Sequence, residues 1–301
     1  MVEKSSELVI TTGRESWIKN IWYPSLRDSL HGNYQGDILI VDYPDGFSTK
    51  FVEELQLYPN VLYRKVQKHY ESFASDRIYQ FYTILKNELR EYHTILITDG
   101  SDIEFLKPIQ PLLDMASKEF CYSKEEESNM AIRCFGCLPK FPKEQWEYIK
   151  DKPIVNAGML AGPRREMLNL METMIENMDR YGAEFGSEQL TLNILIYYYM
   201  VKAKDVGATW NYTMVSNRRC KFRFEYGRCF GEEFGRRIEI SILHSNGRAL
   251  GRYLGKMNGK VRKRYINGQF INPMTFTSDK PLFPYHPQAV KKGDNFLFSK
   301  H

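Results

Sequence analysis

A chain of 301 residues, 43% hydrophobic and 26% charged, is long enough to bury a large core, and no apolar run in it approaches the length of a membrane span. The formal net charge of +5 is a mild excess that fits anionic ligands without requiring nucleic acid. Five cysteines, an odd number without a dense framework, argue against a disulfide scaffold and for a reducing compartment.

The opening "MVEKSSELVITTG" lacks the apolar stretch of a secretion signal, so a cytoplasmic protein is expected. "ELVITT" (Glu7–Thr12) reads as a strand ending at Gly13, and "DILIVD" (Asp37–Asp42) as a second, followed by the turn residues Pro44, Asp45 and Gly46. "VLYRKV" (Val61–Val66) is a third. From Ser75 to Tyr92 the apolar residues Ile78, Tyr82, Leu85 and Leu89 recur at helical spacing, and "TILIT" (Thr94–Thr98) follows as another strand. Such alternation predicts parallel strands with crossover helices, the "ILIV" and "TILI" runs being covered on both faces. Ligands of such sheets bind beyond the carboxyl ends of the strands, which gathers Thr11–Arg14, Asp42–Pro44 and Asp99–Asp102 at one edge.

Further along, "CFGC" (Cys134–Cys137) has the spacing of half a zinc site, but Cys121, Cys220 and Cys229 do not supply a second pair. "IVNAGMLAG" (Ile154–Gly162) reads as a strand. Pro163 then suits the first turn of a helix whose Met167, Met171, Met174 and Met178 mark a core-facing stripe. Ser187 is a candidate N-cap for "SEQLTLNILIYYYM". "NYT" at Asn211 is a glycosylation sequon, idle in a cytosolic protein. "IEISILH" (Ile238–His244) reads as a late strand ending in histidine. The repeat "GRAL-GRYL-GKMN-GKVR" places Gly at 247, 251, 255 and 259; four glycines disfavour a long helix, and seven Lys/Arg without an acid lie between 247 and 265. The Pro-rich remainder is expected to wrap the surface. One domain is expected over 1–301, with a ligand-binding half (about 1–106), a second half (107–245) and the basic, Pro-rich segment (246–301).

"TILITDGSDIEF" carries the chemistry. Asp99, Asp102 and Glu104 follow a buried strand, and hard oxygen ligands there suit Mg²⁺ or Mn²⁺ shared with phosphates. Taken locally, "DGSD" reads equally well as a turn.

The order of motifs adds to this. "TTGR", "ILITDGSDIEFLKPI", "VNAGMLAG", "SEQLTLN" and "ILHSNG", spanning about residues 7–250, together resemble the nucleotide-sugar-dependent glycosyltransferases of the GT-A fold. The resemblance implies a mostly parallel, Rossmann-like central sheet flanked by helices, with an irregular C-terminal segment. It also implies transfer of a sugar from a nucleotide-diphosphate donor, a UDP-sugar foremost, to a hydroxyl of a glycan or glycoprotein acceptor. Asp99, Asp102 and His244 would hold Mn²⁺ or Mg²⁺ on the diphosphate, Asp102 being the surest ligand. Asp99 is either a second ligand or a contact to ribose or sugar, and Glu104 is a further possibility. Thr11, Thr12, Gly13, Arg14 and Asp42 would lie near base and ribose, and Asp76 and Arg77 near the donor sugar or ribose. Asn156 and Gly158 would shape the sugar pocket, and Glu188 and Gln189 would reach the reacting sugar or the acceptor. Gly247, Arg248, Arg252 and Lys256 would meet phosphate, against the plain alternative of a basic surface loop. Two departures from the family pattern stand out: Asp-x-x-Asp in place of Asp-x-Asp, and Glu188 where Asp is usual. A sugar-phosphate nucleotidyltransferase is an alternative, although "TTGRES" is poor for its Gly-rich basic loop. A nucleic-acid binder using 248–264 is another, although the basic cluster is local.

Overall fold

The apolar runs of the first third become the middle of a single sheet because their alternate side chains are all apolar, and the two sets leave on opposite faces. These are β1 (Glu7–Thr12), β2 (Asp37–Asp42) and β4 (Thr94–Asp99), while β3 (Val61–Lys65), which ends in the exposed Arg64 and Lys65, forms the edge beside β2. The structure, a computed structural model, describes residues 6–87, 92–132, 138–213, 222–226 and 228–245, with the backbone of 264–266 and 269–271. Val9, Ile38, Ile40 and Leu96 pack on one face under the helical run 15–27 and the helices Thr49–Gln56 and Gln110–Ala116. Ile10, Leu39, Val41, Ile95 and Ile97 pack on the other, under Phe73–Asn87, Arg164–Tyr181 and Ser187–Tyr197. Each such side chain, wholly removed from water, contributes about 1.5–3 kcal/mol. The methionine stripe behaves as expected, with Met167, Met171, Met174 and Met178 all inside the second core.

Before the remaining strands of this sheet comes β5 (Ile103–Phe105); then follow β6 (Cys121–Ser128), β7 (Pro153–Pro163) and β8 (Lys204–Asp205). The seven-stranded order is β3-β2-β1-β4-β7-β6-β8. The strands β3, β2, β1 and β4 run parallel, β7 is antiparallel to both β4 and β6, and β8 is parallel to β6. The sheet is therefore mixed and mostly parallel, flanked by helices, as the sequence predicts.

A small sheet with order β5-β13-β9 closes over the carboxyl edge, built from β5, β9 (Tyr212–Thr213) and β13 (Ile242–His244). A second holds β10 (Arg223–Glu225), β11 (Arg228–Glu233) and β12 (Arg236–Glu239). The expected strand Ile238–His244 is thus two strands in two sheets. The break falls at Ser241, whose N–H goes to the Thr209 carbonyl and whose own carbonyl accepts from Leu106 N–H. Two helix starts also differ from expectation. Gly186, at φ 90°, is the N-cap of Ser187–Tyr197, a left-handed conformation that glycine adopts without a Cβ clash, so Ser187 becomes the first helical residue. Pro163 sits at the cap of Arg164–Tyr181 instead of inside its first turn. Residues 264–266 and 269–271 pair antiparallel. The basic glycine repeat and the Pro-rich tail otherwise lie outside the described residues.

Candidate functional site

Parallel pairing aligns Thr12 with Val41 and with Asp99, so the chain leaves β1, β2 and β4 at one edge. After β4 it turns at Gly100, whose N–H returns to the Thr12 carbonyl, and enters β5. The strand β13 runs antiparallel to β5 with His244 opposite Ile103, and Ser245 N–H is bonded to the Asp102 carbonyl at 2.8 Å. This register brings His244 against the acids of the turn. Its Nε2 lies 3.4 Å from Asp99 Oδ2 and 3.4 Å from Asp102 Oδ1. The three ligand atoms lie within 4.8 Å of one another, and Glu104 does not belong to the group.

The donor set fits a divalent cation: two carboxylates and one imidazole offer three ligand atoms and leave coordination positions for other oxygens. The fit is sharpened by His244 Nε2 itself, which is buried and has no hydrogen-bond partner among the described residues. A buried polar atom left so is costly unless something else meets it.

Asp99 also meets the Arg77 guanidinium through its other oxygen. Arg77 is buried, and its Nη2 donates to the Ala157 carbonyl at 3.2 Å. Burial pulls the Arg77 pKa down, while the negative charges of Glu188 and Asp102 pull it back up. Glu188 is held from the other side. Burial raises its pKa, opposed by Arg77, by the N–H groups of Gly186 and Glu188 at the helix start, and by the Ser75 hydroxyl. Among the described residues the centre therefore gathers three carboxyl groups, Asp99, Asp102 and the deeper Glu188, around a single buried guanidinium, an arrangement open to a cation.

Beside this centre opens a cleft of about 690 Å³ whose walls include Gly13, Arg14, Lys19, Asn20, Asp45 and Gly46. Arg14 N–H donates to Ser101 Oγ at 2.9 Å, tying the cleft wall to the acidic turn. Two of the expected acids, Asp42 at the end of β2 and Asp76 in the first turn of Phe73–Asn87, already accept hydrogen bonds within the protein. Asp42 accepts from Tyr43 N–H and from the Tyr63 hydroxyl, each at 2.8 Å. Asp76 accepts from the N–H groups of His69 (2.6 Å) and Tyr70 (2.7 Å) and from Gln80 Nε2 (3.3 Å). The Thr11 hydroxyl donates across to the Thr98 carbonyl, and Thr12 is buried next to it.

The sequence matches no protein-family model and no curated protein. Solved structures are similar in fold. One is the galactosyltransferase LgtC in complex with donor and acceptor sugar analogs, with TM-score 0.52, 11% identity, and 80% of this chain and 87% of that chain covered. An active-site mutant of LgtC gives TM-score 0.53, 11% identity and the same coverage. The bifunctional glycosyltransferase WbbM in its apo form gives TM-score 0.53 and 13% identity over 82% of this chain and 46% of that chain. The chain has the GT-A fold.

Within the GT-A sheet, β7 runs behind the acidic turn and supplies Asn156 and Gly158. Asn156 is buried and bonded entirely within the protein, to Glu125, Asn211 and Gly158 N–H. Gln189 Oε1 accepts from Ala157 N–H at 3.4 Å. Gly158 is a close approach: a Cβ there would come within 2.7 Å of Asp99 Oδ2 and 2.9 Å of Asn156 Oδ1, and against the His244 ring. Gly158→Ala is accordingly expected to destabilise the protein by about 1–3 kcal/mol through overpacking. Urea unfolding reads it, and a variant as stable as wild type would mean these side chains have room to give.

The structure therefore brings Asp99, Asp102, His244, Arg77, Asn156, Gly158 and Glu188 into one neighbourhood and sets Gly13 and Arg14 in the adjoining cleft. Gly247, Arg248, Arg252 and Lys256 lie outside the described residues. Glu125, Asn211, Ser75 and Lys19 escape sequence reasoning. Asn211 carries only the sequon signal, and it is fully buried with both amide atoms engaged, so its amide is closed to a glycan in the folded chain.

Proposed function

We propose that the chain is a metal-dependent glycosyltransferase that moves a sugar from a nucleoside-diphosphate donor, a UDP-sugar, to a hydroxyl of a glycan or glycoprotein acceptor. The observation that carries this reading is the Asp99–Asp102–His244 group at the carboxyl edge of a GT-A sheet, beside an open cleft. The donor and acceptor sugar analogs bound by LgtC, a protein of the same fold, support the substrate class.

In this reading Asp99, Asp102 and His244 hold Mn²⁺ or Mg²⁺. When bound, the cation supplies positive charge against the diphosphate that departs as the anomeric C–O bond breaks. Thr12, Gly13 and Arg14 border the base and ribose. Arg77 holds Asp99 from behind, and Asn156 and Gly158 shape the sugar pocket. Gln189 and Glu188 face the reacting sugar or the acceptor. Glu188 takes the proton of the acceptor hydroxyl if the transfer inverts, and supports the cationic sugar or orients the acceptor if it retains. The basic glycine segment that includes Gly247, Arg248, Arg252 and Lys256 is assigned to phosphate on its composition. A first half ending near residue 106 binds the donor and the second half meets the acceptor.

Thermal-shift measurement across nucleotide sugars, with and without Mn²⁺, tests the reading. A donor at a hundredfold its dissociation constant adds about 2.7 kcal/mol of stability. The melting temperature is expected to rise with one nucleotide sugar in Mn²⁺ and to return on adding EDTA. If no nucleotide sugar shifts it in either Mn²⁺ or Mg²⁺, the donor assignment fails.

A further inference from the structure

We infer that Glu125, Asn156 and Asn211 form a polar relay that fixes the ring tautomer of His244, and so makes Nε2 a cation ligand instead of a hydrogen-bond donor to its own acids. The inference rests on the proposed cation site and adds to it Glu125 and Asn211, to which no motif of the family gives a role.

The relay runs from the large sheet to the small one. Glu125 lies on β6, Asn156 on β7, Asn211 immediately before β9 and His244 at the end of β13, and all four are at most 5% exposed. Its direction follows from what each group can do. An ionised carboxylate only accepts, so Asn156 turns Nδ2 toward Glu125 Oε1. Its Oδ1 then faces the other way, accepting from Gly158 N–H at 2.8 Å and from Asn211 Nδ2 at 3.0 Å. That leaves Asn211 Oδ1 toward His244 Nδ1, 3.0 Å away, and a carbonyl oxygen requires the proton to be on Nδ1. In the neutral ring, the form that can bind a cation, Nε2 then carries the lone pair, directed at Asp99 and Asp102.

Turning the relay round would set the Asn156 carbonyl against the Glu125 carboxylate and its NH₂ against Gly158 N–H. Two independent contacts therefore hold one direction. The opposite setting would put a proton on Nε2, where two carboxylate oxygens at 3.4 Å would accept it and close the site to a cation. Asn211, Asn156 and Glu125 are positioning residues in this scheme, acting through His244.

The test uses the full chain and Mn²⁺ alone. Free Mn²⁺ is read by electron paramagnetic resonance, and pulsed measurements on the bound ion read coupling to an imidazole nitrogen. Wild type should show that coupling. Asn211→Leu should weaken Mn²⁺ binding roughly 10- to 100-fold, the range seen when a partner of a metal-ligating histidine is removed, and should lose the nitrogen coupling as His244→Ala does. Glu125→Gln, whose amide oxygen still accepts from Asn156, should keep the coupling and bind within about threefold of wild type by the same criterion. Wild-type affinity and coupling in a folded Asn211→Leu variant would overturn the relay. Should that variant not fold, long-range ¹H–¹⁵N spectra of the metal-free wild type, recorded where the ring is neutral, decide the matter: the proton belongs on Nδ1, and a proton on Nε2 overturns it. Failure of wild type to bind Mn²⁺ at all would remove the cation site itself, a result distinct from either.

Discussion

Replacing Asp102 by alanine is expected to cut sugar transfer by about three orders of magnitude or more while leaving the fold intact. A cation at a departing phosphate is worth several kcal/mol of transition-state charge stabilisation, and each 1.36 kcal/mol is tenfold in rate. Asp102 is the residue to remove because its side chain serves the cluster while its backbone serves the fold. The carbonyl that accepts from Ser245 N–H survives the change, as does the pairing of β5 with β13. Loss of Asp102 relieves its repulsion with Asp99 but also removes a charge that supports the buried Arg77; the two effects oppose each other, so the metal-free variant should melt close to wild type. Glu104→Ala is the matched control: it lies on the same short strand but outside the ligand group, and should change transfer by no more than about threefold, the usual effect away from a metal's own partners. Transfer assays, Mn²⁺ titration and thermal unfolding of both variants check this. Full activity in Asp102→Ala, or wild-type activity in EDTA, would rule out the cation's role.

The uneven worth of the acids in "TILITDGSDIEF" shows how far the sequence could be read. Strands β1, β2 and β4 are legible because an unbroken apolar run has one good environment, the middle of a sheet covered on both sides, and the edge strand β3 is legible from its β-branched and aromatic start. Their shared edge followed from parallel pairing, and with it the neighbourhood of Arg14 and Asp99. What the spacing left open was which acid joins Asp102. The turn at Gly100 folds the chain so that Asp99 and Asp102 face His244 together, a consequence of the β5–β13 register between segments far apart in sequence. Strands of three residues carry almost no periodic signal, so β5 and β13 were invisible singly, and "IEISILH" read as one strand. Sequence does not display the N–H and hydroxyl groups that bond the carboxylates of Asp42 and Asp76 within the protein. Glu125 and Asn211 lay beyond reach for the same reason: a chain of side-chain hydrogen bonds across four segments leaves no local pattern.

Glu188→Gln separates chemistry from binding. Glutamine keeps the shape and an acceptor oxygen for the Ser75 hydroxyl and the helix-start N–H groups, but it cannot take a proton from an acceptor hydroxyl. If Glu188 is the base, turnover should fall about 10²- to 10⁴-fold, the contribution of a positioned proton acceptor, while donor affinity stays nearly constant. The pH profile supplies a second signature. Burial raises the Glu188 pKa, so the acid limb of the wild-type turnover profile should lie above the ordinary glutamate value of about 4.3. The sign follows from the role: a base works only when deprotonated, so turnover falls as pH drops through that raised pKa. In Glu188→Gln the same limb should vanish and the residual rate should be flat. Arg77 gives the competing explanation a distinct outcome, because Glu188 is also one of the negative charges that, with Asp99 and Asp102, stabilise that buried guanidinium. Were Glu188 needed only to keep Arg77 against Asp99, its loss would weaken donor and Mn²⁺ binding and leave the acid limb in place. Turnover lost with binding and metal affinity retained points to proton transfer; binding lost with turnover retained assigns Glu188 to holding Arg77.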